Sequence, residues 1–485
     1  MRVFLGNAPW RVENRLGVRA GCRWPFTLEK EKGQTIPGYV PFPFFLAYTT
    51  AVLKKQGIDA MIVDAIAEGI DDDGFIKRIK DSGSELVVLE TSTPSIKVDL
   101  AIARRIKDET KAKICLCGPH VSVFKDKILK ESPFVDYVAY GEYDHIIRDL
   151  AKALNEKVVR LKTVRGLVYR AKEGIRTNPP MPVIEDINEL PWPVRDSLPM
   201  LNYRDGNAGL PFPSLQLVAG RGCPFKCSFC LWPSTMMGNR YRTRDPVDVV
   251  DELEYCIKKW KYKSFYFDDD TFNIGEQRII KICEEMQKRG INLPWEAMAR
   301  ADTATPKMLE AMKDAGLIVI KYGVESGDQE VLNRIGKNLD LEKAEEMIKL
   351  TKKIGIKVHL TFTFGLPGES WETINKSIDY LMRVNPDSVQ ISINVPFPGT
   401  RYFAELEEKG LILTKDWSRY DGYQYAVMRT EKLSAEDLKK AVKIAHRKWT
   451  LKKMTTKKHY IIEGLRHPVR AARFLKRRIM DEEIY

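Results

Sequence analysis

Two series of short apolar segments alternate with helix-like stretches along this chain of 485 residues. The first series lies within residues 1–150, and the second runs from about residue 214 to residue 393. Strand–helix repetition indicates parallel strands, because a crossover between two parallel strands is usually a helix and these helices cover the sheet. The sequence therefore predicts an α/β protein with two parallel-sheet modules.

The first series has apolar segments at residues 3–5, 60–63, 86–89, 114–117 and 135–140. Stretches between them, such as residues 43–56 and 100–109, have helical periodicity. We expect residues 1–150 to form a flavodoxin-like (Rossmann-type) domain. Its ligand would lie at the carboxyl ends of the strands, where the strand order reverses. The segments expected there are small, polar and rich in glycine: residues 6–10, 91–94, 118–122 and 141–143.

The remaining chain divides into three parts. Residues 151–205 are expected to form a linker, with a small hairpin at 158–184 and stiffening prolines after it. Six further strand–helix units in residues 206–400 predict a partial (β/α)6 barrel of the TIM type, in which catalytic residues lie at the carboxyl ends of the strands. Residues 401–485 are expected to form a helical, basic extension.

Three closely spaced cysteines follow the first strand of the second module: Cys223, Cys227 and Cys230. Gaps of three and two residues place three thiolates on one tight loop, close enough to bind one metal centre. A structural zinc site has four protein ligands, and an electron-transfer iron–sulfur cluster usually has four thiolates. Three ligands leave one position open for catalysis. The alternative is a zinc site completed by a distant residue, although Cys256 lies in a helical stretch and no histidine lies between His145 and His359.

The Cys-x-x-x-Cys-x-x-Cys run, with Phe229 before its last cysteine, resembles the signature of radical S-adenosylmethionine (SAM) enzymes. The resemblance implies that Cys223, Cys227 and Cys230 hold a 4Fe-4S cluster whose open iron binds SAM. It also implies that an electron from the cluster cleaves SAM to a 5′-deoxyadenosyl radical. Phe229, Trp232 and Pro398 are implied to lie beside the adenine.

Polar residues follow other strands of the second module. Strand alternation places Asp268 and Asp270 on one face and Asp269 on the other. These carboxylates either cap the next helix or bind the ammonium of SAM. Arg300 either pairs with Asp302 or contacts SAM. Glu325 is similar to the ribose-contacting position of the family, and a surface turn is the alternative.

Two runs in the first module, Cys-Gly-Pro-His-Val at 117–121 and Tyr-Gly-Glu at 140–142, are similar to the cobalamin-binding domains that precede many radical SAM modules. The resemblance assigns cobalamin contacts to Thr91, Ser92, Thr93, Gly118, His120, Val121, Gly141 and Glu142. The Asp-x-His-x-x-Gly motif, whose histidine ligates cobalt from below, is absent from residues 1–150. The lower face of the corrin is then open or held by another group. The alternative is a docking domain that has lost its ligand.

The chain as a whole resembles cobalamin-dependent radical SAM enzymes, in the branch of hopanoid-biosynthesis proteins and the anaerobic magnesium-protoporphyrin monomethyl ester cyclase. The runs Phe-Asp-Asp-Asp-Thr-Phe at 267–272 and Tyr-Arg-Thr-Arg at 241–244 carry this narrower likeness. It implies an enzyme that methylates an unactivated carbon of a lipid, tetrapyrrole or peptide, with an electron donor such as flavodoxin or ferredoxin. Cyclisation or oxidation without methyl transfer is the alternative. The alternative from another functional class is a zinc-binding module that binds nucleic acid without catalysis.

The net charge of +13 comes mainly from the basic tail between residues 443 and 478. Val469, Ala472, Leu475 and Ile479 would form one stripe of a tail helix with arginines on its other faces. Such a helix can lie on an anionic membrane surface, bind nucleic acid or pack on the core. The eight cysteines do not form a secreted disulfide pattern, and no apolar run is long enough to span a membrane, so a cytoplasmic location is expected.

Overall fold

The computed structural model describes residues 1–19, 26–29, 33–156, 159–205, 209–420 and 425–456. Two parallel sheets with helices on their faces form the core, as the strand–helix repetition predicts. The strands of the N-terminal part are β1 (Arg2–Asn7), β2 (Arg11–Val12), β3 (Arg15–Val18), β4 (Phe26–Glu29), β5 (Asp59–Asp64), β6 (Leu86–Glu90), β7 (Lys113–Cys117), β8 (Tyr137–Ala139), β9 (Leu167–Ala171) and β10 (Gly174–Thr177).

The helices of this part follow its strands in sequence. They are α1 (Phe44–Lys55), α2 (Ala65–Glu68), α3 (Asp72–Ser82), α4 (Ile96–Glu109), α5 (Pro119–Glu131) and α6 (Asp144–Asn155). The strand order is β10-β9-β8-β7-β6-β1-β5, and the five strands from β8 to β5 are parallel. The order reverses between β1 and β6, which is the flavodoxin-like arrangement. The flavodoxin-like prediction is confirmed.

The hairpin expected in the linker is present as β9 and β10, but it belongs to the first sheet. β9 pairs antiparallel with β8, and β10 pairs antiparallel with β9. The local sequence pattern marks a hairpin without showing which sheet edge it joins, so the sequence did not reveal this pairing. The first sheet therefore extends to Thr177, whereas the four-part division of the chain stays a prediction.

The second sheet consists of six parallel strands in sequential order. They are β11 (Ser214–Leu217), β14 (Ser264–Phe267), β15 (Trp295–Ala299), β16 (Leu317–Glu325), β17 (Lys357–Phe364) and β18 (Ser388–Ile393), and a short ladder joins β12 (Gly220–Arg221) to β13 (Arg242–Thr243). The helices are α7 (Pro246–Trp260), α8 (Glu276–Lys288), α9 (Pro306–Asp314), α10 (Gln329–Arg334), α11 (Leu341–Lys353) and α12 (Trp371–Val384). The partial barrel is confirmed, with β11 and β18 as its two edges.

Side-chain caps fix where many of these helices begin. The capping side chain accepts a hydrogen bond from a backbone N–H of the first turn, which would otherwise lack a partner. The residues that cap in this way are Asp64 (α2), Asp71 (α3), Asp245 (α7), Thr305 (α9), Asp328 (α10) and Asp340 (α11). Because these caps fix where each helix begins, they also restrict the position of the site residues between a strand end and the next helix.

The C-terminal extension is helical in its described part, as expected. Helix α13 (Arg401–Glu408) precedes a short turn at Trp417–Arg419, and α14 (Ala435–Thr456) packs against β17, β18 and α12. The tail residues Val469, Ala472, Leu475 and Ile479, and the arginines around them, lie outside the described residues. Within the described ranges, no helix has the length and apolar character needed to cross a membrane.

Candidate active site between the two modules

The three cysteines lie on the loop between β12 and a turn of π-helix at Pro233–Met237. None of them forms a disulfide, and all three are partly accessible and line one cleft with about 1020 Å³ of space that is open to solvent. Backbone bonds anchor the loop: the N–H of Ser228 donates to the carbonyl of Ile335, and the N–H of Tyr402 donates to the carbonyl of Ser228.

Gly222, directly before Cys223, allows this loop to form. Its φ is +83°, and a Cβ there would lie 2.2 Å from the carbonyl oxygen of Arg240. A side chain at this position would meet backbone and be strained in the left-handed region. The glycine therefore lets the cysteine loop pass close to the strand that follows it.

The three thiols of this loop line one cleft, as the ligands of one iron–sulfur cluster would. Within the described part of the chain, no group of three or more His, Cys, Asp or Glu side chains is arranged to hold a single metal ion. Burial raises the pKa of Cys223 and Cys227, and the charges of Lys337 and Arg300 oppose this at Cys227. These cations favour the thiolate that a metal centre requires.

The three aspartates after β14 have two different environments. Asp269 is buried and accepts a hydrogen bond of 2.9 Å from the N–H of Ala219. Asp268 and Asp270 both line a second cavity between the modules, which confirms the alternation. Asp270 also lines the cysteine cleft, whereas Asp268 is not among the residues that line it. None of the three caps the next helix, because α8 begins at Glu276 after the N-cap Gly275.

Arg300 lines the cysteine cleft but is held by protein groups. Its Nε and Nη2 donate to the two carboxylate oxygens of Asp302 at 2.9 and 2.7 Å. Its Nη1 donates to the carbonyl of Lys337 at 2.8 Å, and the guanidinium carbon lies 3.7 Å from the ring centroid of Phe225. The pairing with Asp302 is present, and the contact of Arg300 with SAM stays a prediction. Arg300 thereby links the β15 end to the cysteine loop.

Glu325 is the last residue of β16 and points into the cleft, so the surface-turn alternative is wrong. Its carboxylate lies 3.4 Å from Nζ of Lys337 and accepts hydrogen bonds from Thr361 at 3.2 Å and Thr363 at 3.1 Å. Its φ is +71°, and the register between β16 and β17 shifts at this position. A non-glycine residue in the left-handed region is strained, and such strain often marks a functional site.

The aromatic residues expected near the adenine are distributed unevenly. Phe229 and Trp232 line the cysteine cleft. Pro398 is buried and is not among the lining residues, whereas its neighbour Phe397 is. Sequence reasoning also missed several polar lining residues: Lys337, Thr361, Thr363, Gln390 and Ser392. Four of these, the two of β17 and the two of β18, recur at every second position, so strand periodicity contained the signal.

At the carboxyl edge of the first sheet, the predicted residues lie together as a buried polar layer. Thr91 Oγ1 donates to the carbonyl of Cys117 at 2.8 Å, and Thr93 Oγ1 lies 3.2 Å from Nδ1 of His120. Ser92 bonds to Ser95 at 2.7 Å, and Val121 is buried. Burial lowers the pKa of His120 to about 3, so its imidazole is neutral.

Two glycines leave the backbone at this edge free of side chains, so that a ligand could approach it. Gly118 has a φ of +102°, and a Cβ there would lie 2.4 Å from the carbonyl oxygen of Thr91. Gly141, with a φ of +86°, leaves open space beyond its Cα, since a Cβ there would have the carbonyl oxygen of Met236 as its nearest neighbour, 4.0 Å away. Small polar side chains and bare backbone of this kind fit a flat ligand such as a corrin that approaches the edge closely.

Arg19, which sequence reasoning overlooked, lies at the point where the strand order reverses. It donates to Asn7 at 2.9 Å, Ser95 at 3.1 Å and Asp99 at 2.6 Å, and it is buried. These partners come from the end of β1 and from the start of α4. The crevice of the sheet is therefore closed at this point by an ion pair.

Glu142 was expected to contact cobalamin, which stays a prediction, and its carboxylate is bonded to protein groups. Its Oε1 accepts from Arg221 at 2.9 Å, and its Oε2 accepts from Arg242 at 2.7 Å and from the N–H of Ile184 at 3.0 Å. Arg221 also pairs with Asp144 at 2.8 Å. Both oxygens of Glu142 are thus occupied by cations of the second module, and this buried network joins the two modules.

Comparison with known proteins identifies the family. The model of the radical SAM superfamily matches residues 217–381, and the model of the B12-binding domain matches residues 37–151. An uncharacterized methyltransferase of Pyrococcus horikoshii is 30% identical over 405 residues, covering 83% of this chain and 86% of that protein. This chain belongs to the cobalamin-dependent radical SAM enzymes.

Other relatives confirm the branch that the sequence resembles. The anaerobic magnesium-protoporphyrin IX monomethyl ester cyclase of Rubrivivax gelatinosus is 28% identical, covering 87% of this chain and 76% of that protein. The hopanoid C-3 methylase of Methylococcus capsulatus is 25% identical, covering 80% and 72%. The solved structure of the cobalamin-dependent radical enzyme OxsB with aqua-cobalamin and SAM has a TM-score of 0.70 at 20% identity, covering 92% of this chain and 65% of that one, and shares the fold.

Family membership sets the cofactors as a 4Fe-4S cluster, SAM and cobalamin. The cysteine loop occupies the position after the first strand of the radical SAM module, and the polar edge of the first sheet belongs to the B12-binding module. The two cofactor sites predicted from the sequence therefore lie in the modules that the family assigns to them.

Proposed function

We propose that this chain is a C-methyltransferase that acts on an unactivated carbon of a substrate bound between its two modules. The observation that carries this proposal is that two cavities share part of their lining. Trp232 and Asp270 line both the cysteine cleft and the cavity beside the first module. When bound, the cluster supplies the electron that cleaves SAM, and cobalamin supplies the methyl group. A substrate at the shared boundary can be reached from both sides.

The residues of the cysteine cleft have the chemistry to bind SAM. Cys223, Cys227 and Cys230 would hold the cluster. Asp270 and Glu325 place carboxylates on the cleft, where they would bind the ammonium and a ribose hydroxyl by charge-assisted hydrogen bonds. The rings of Phe229, Trp232 and Phe397 line this cleft and would contact the adenine.

Arg300 has a positioning role in this proposal. Its contacts with Asp302 and Phe225 fix the cysteine loop against the end of β15. Lys337 lies 3.4 Å from the carboxylate of Glu325 and would hold it in place. Asp268, expected from the sequence to bind SAM, lines the second cavity and is not among the residues that line the cysteine cleft.

The edge of the first sheet would bind cobalamin. Gly118 and Gly141 would allow its ring to approach the backbone, and Ser92, Thr93, His120 and Val121 would support that edge from beneath. His120 is neutral and bonded to Thr93, so it would act as a fixed polar contact. Thr91 would position the Gly118 backbone through its bond to Cys117.

Cyclisation or oxidation is the second candidate, because a relative at 28% identity is a cyclase. The mass of the product separates the two. Methylation adds one CH₂ unit, whereas cyclisation or oxidation removes hydrogen or adds oxygen.

We also propose that an electron carrier such as flavodoxin or ferredoxin reduces the cluster and that the enzyme works in the cytoplasm. The basic tail would attract an anionic membrane surface, which suits an apolar substrate. These points rest on the charge of the tail and on the need of the cluster for reduction.

The central test is anaerobic reconstitution with iron and sulfide, followed by an assay for 5′-deoxyadenosine under strong reductant. We expect the wild type and Cys256→Ala to form it, because Cys256 is buried in α7 away from the cleft. Cys227→Ala should lose both the iron and the product. If Cys227→Ala cleaved SAM as fast as the control, the assignment of the cluster ligands would be wrong.

A further inference from the structure

The C-terminal extension contacts the first module beside the edge that would bind cobalamin, at the short turn Trp417–Arg419. The ring centroid of Trp417 lies 5.8 Å from that of His120 and 5.7 Å from that of Phe124. The rings of His120 and Phe124 lie 4.6 Å from each other. The three rings therefore form one cluster, to which the extension contributes the indole.

We propose that Trp417 is a positioning residue for cobalamin. It would hold the first turn of α5, residues 119–124, in the place where the backbone of this turn and His120 support the corrin. This inference rests on the proposed function and deepens it, because it gives the C-terminal extension a role in cofactor binding.

The first turn of α5 needs support from outside the helix, because α5 is interrupted. Lys125 has a φ of +33° and a ψ of −109°, which are not helical values, so residues 119–124 are separated from the rest of α5. A helical segment of this length is not stable through its own backbone hydrogen bonds. Tertiary contacts must therefore set the position of this turn.

Three contacts from later parts of the chain hold the turn. Ser122 Oγ donates to Sδ of Met236 at 3.7 Å. A Cβ on Gly399 would lie 2.5 Å from Cγ2 of Val123, so the loop after β18 packs closely on α5. Trp417 supplies the third contact and packs its indole against the imidazole with an angle of 70° between the planes. This last contact bears directly on the polar side chain of the turn.

The turn that carries Trp417 is itself anchored. Asp416 forms an ion pair of 2.7 Å with Lys97 of α4, between residues that are 319 positions apart in the chain. The hydroxyl of Tyr420 donates to the carbonyl of Thr414 at 2.7 Å, and the ring of Tyr420 lies 4.9 Å from that of Trp417. An indole on such a turn can fix the side chain against which it packs.

The orientation of His120 depends on this packing. Burial lowers the pKa of His120 to about 3, so the imidazole is neutral and forms no ion pair. Its Nδ1 lies 3.2 Å from Oγ1 of Thr93, and the rings of Phe124 and Trp417 confine it on other sides. A ligand-binding side chain keeps its geometry only when its neighbours lock its rotamer. Removal of the indole should therefore weaken the binding of the corrin.

Titration of the cobalamin-free, cluster-reconstituted full chain with hydroxocobalamin, followed by absorbance, tests the inference. We expect Trp417→Ala to weaken binding about tenfold, as the loss of aromatic pairs would, and Trp417→Phe to bind within about threefold of the wild type. Trp260→Ala is the matched control. It removes a partly buried indole that packs on Tyr255 and Tyr262 at the end of α7, so its affinity for cobalamin should equal that of the wild type.

A second variant keeps the test valid if Trp417→Ala does not fold. Asp416→Lys places a cation against Lys97 at the surface and displaces the turn without emptying a packed site. We expect it to bind cobalamin about threefold more weakly, the size of effect typical of an exposed ion pair. The iron content of both variants should equal that of the wild type, because Trp417 and Asp416 are not among the residues that line the cysteine cleft.

Three results would overturn the inference: unchanged affinity for cobalamin in both Trp417→Ala and Asp416→Lys, an equal loss in Trp260→Ala, or a loss of iron in step with cobalamin. The last would show a general loss of structure instead of a positioning role. The product of the wild type is measured separately. Absence of any methylated product, alongside an affinity for cobalamin that depends on Trp417, would contradict the proposed function and leave this inference supported.

Discussion

Arg221 of the second module lies 2.8 Å from Asp144 of the first, and both side chains are almost fully buried. The pair joins β12 to the first turn of α6 across the cavity between the modules. Burial acts to lower the pKa of Arg221, but Asp144 and Glu142 outweigh it and raise the pKa. An ion pair between the two packed modules therefore stabilises the wall of the active site.

Removing Asp144 should weaken this junction. Asp144→Ala leaves Arg221 buried with one carboxylate fewer, and breaking a buried pair costs about 3–5 kcal/mol. We expect chemical denaturation to show a loss of this size. Asp149→Asn is the control on the same helix, since its pair with Arg148 is partly exposed and contributes about 1 kcal/mol or less. Equal stability of the two variants would contradict the structural role of the network.

Replacing Arg300 tests how the cysteine loop is positioned. Arg300→Lys keeps the charge but loses the bidentate pair with Asp302 and the flat contact with Phe225. We expect the variant to fold, to bind iron less tightly and to lose 5′-deoxyadenosine formation by about tenfold or more. The measurement is iron content together with the initial rate. Arg383→Lys, on the surface of α12, should behave as the wild type.

Alanine substitutions at two glycines distinguish the effect of backbone strain from the effect of a steric clash. Gly222→Ala would place a Cβ 2.2 Å from the carbonyl oxygen of Arg240, whereas Gly238→Ala meets no atom within 4 Å. Both have positive φ, and the backbone of Gly238 (φ +62°, ψ −175°) lies in a region that almost only glycine adopts, so both variants incur strain of about 1–3 kcal/mol. We expect Gly222→Ala to lose iron binding and Gly238→Ala to retain it. Iron and sulfide analysis after reconstitution measures the difference.

The buried carboxyl group of Glu90 should make the stability of the folded protein depend on pH. Burial raises the pKa of Glu90 from 4.5 to about 7, although Tyr143 donates a hydrogen bond to its Oε1. Between these two pH values the unfolded chain has lost the proton and the folded chain retains it, so folding takes up a proton. Stability from this group is full below pH 4.5 and falls as the pH rises to about 7.

Glu90→Gln should reverse that loss. The variant removes the buried charge, so we expect it to be more stable than the wild type at pH 8, by at most about 3 kcal/mol, and to lose that advantage near pH 5. Thermal unfolding across this pH range measures the effect. A gain at pH 5 equal to that at pH 8 would show that the pKa of Glu90 is not raised in the folded protein.

Local periodicity predicted much of the fold and part of the site. The alternation of β14, continued past its last residue, predicted that Asp268 and Asp270 lie on one side, and both line one cavity. The same reasoning applied to β17 and β18 would have found Thr361, Thr363 and Gln390. Such patterns depend on a few neighbouring residues, so they can be recognised without the tertiary structure.

The sequence did not predict which side chains pair when they lie far apart in the chain. Glu142 was expected at the cofactor edge, yet its partners Arg221 and Arg242 lie 79 and 100 residues further along the chain. The contacts that hold Arg300 depend on where Phe225 and Lys337 lie in space. The left-handed conformation of Glu325 is set by the register shift between two strands.

The sequence by itself determined two modules of alternating strands and helices and a loop with three cysteines, because periodicity and spacing act over short distances. Only the tertiary structure decided which charged groups pair with each other and which of them line a cavity. Electrostatic pairing depends on distances between residues far apart in the chain. For that reason Glu142 became part of the junction between the modules, while Asp268 lines the cavity beside Trp232.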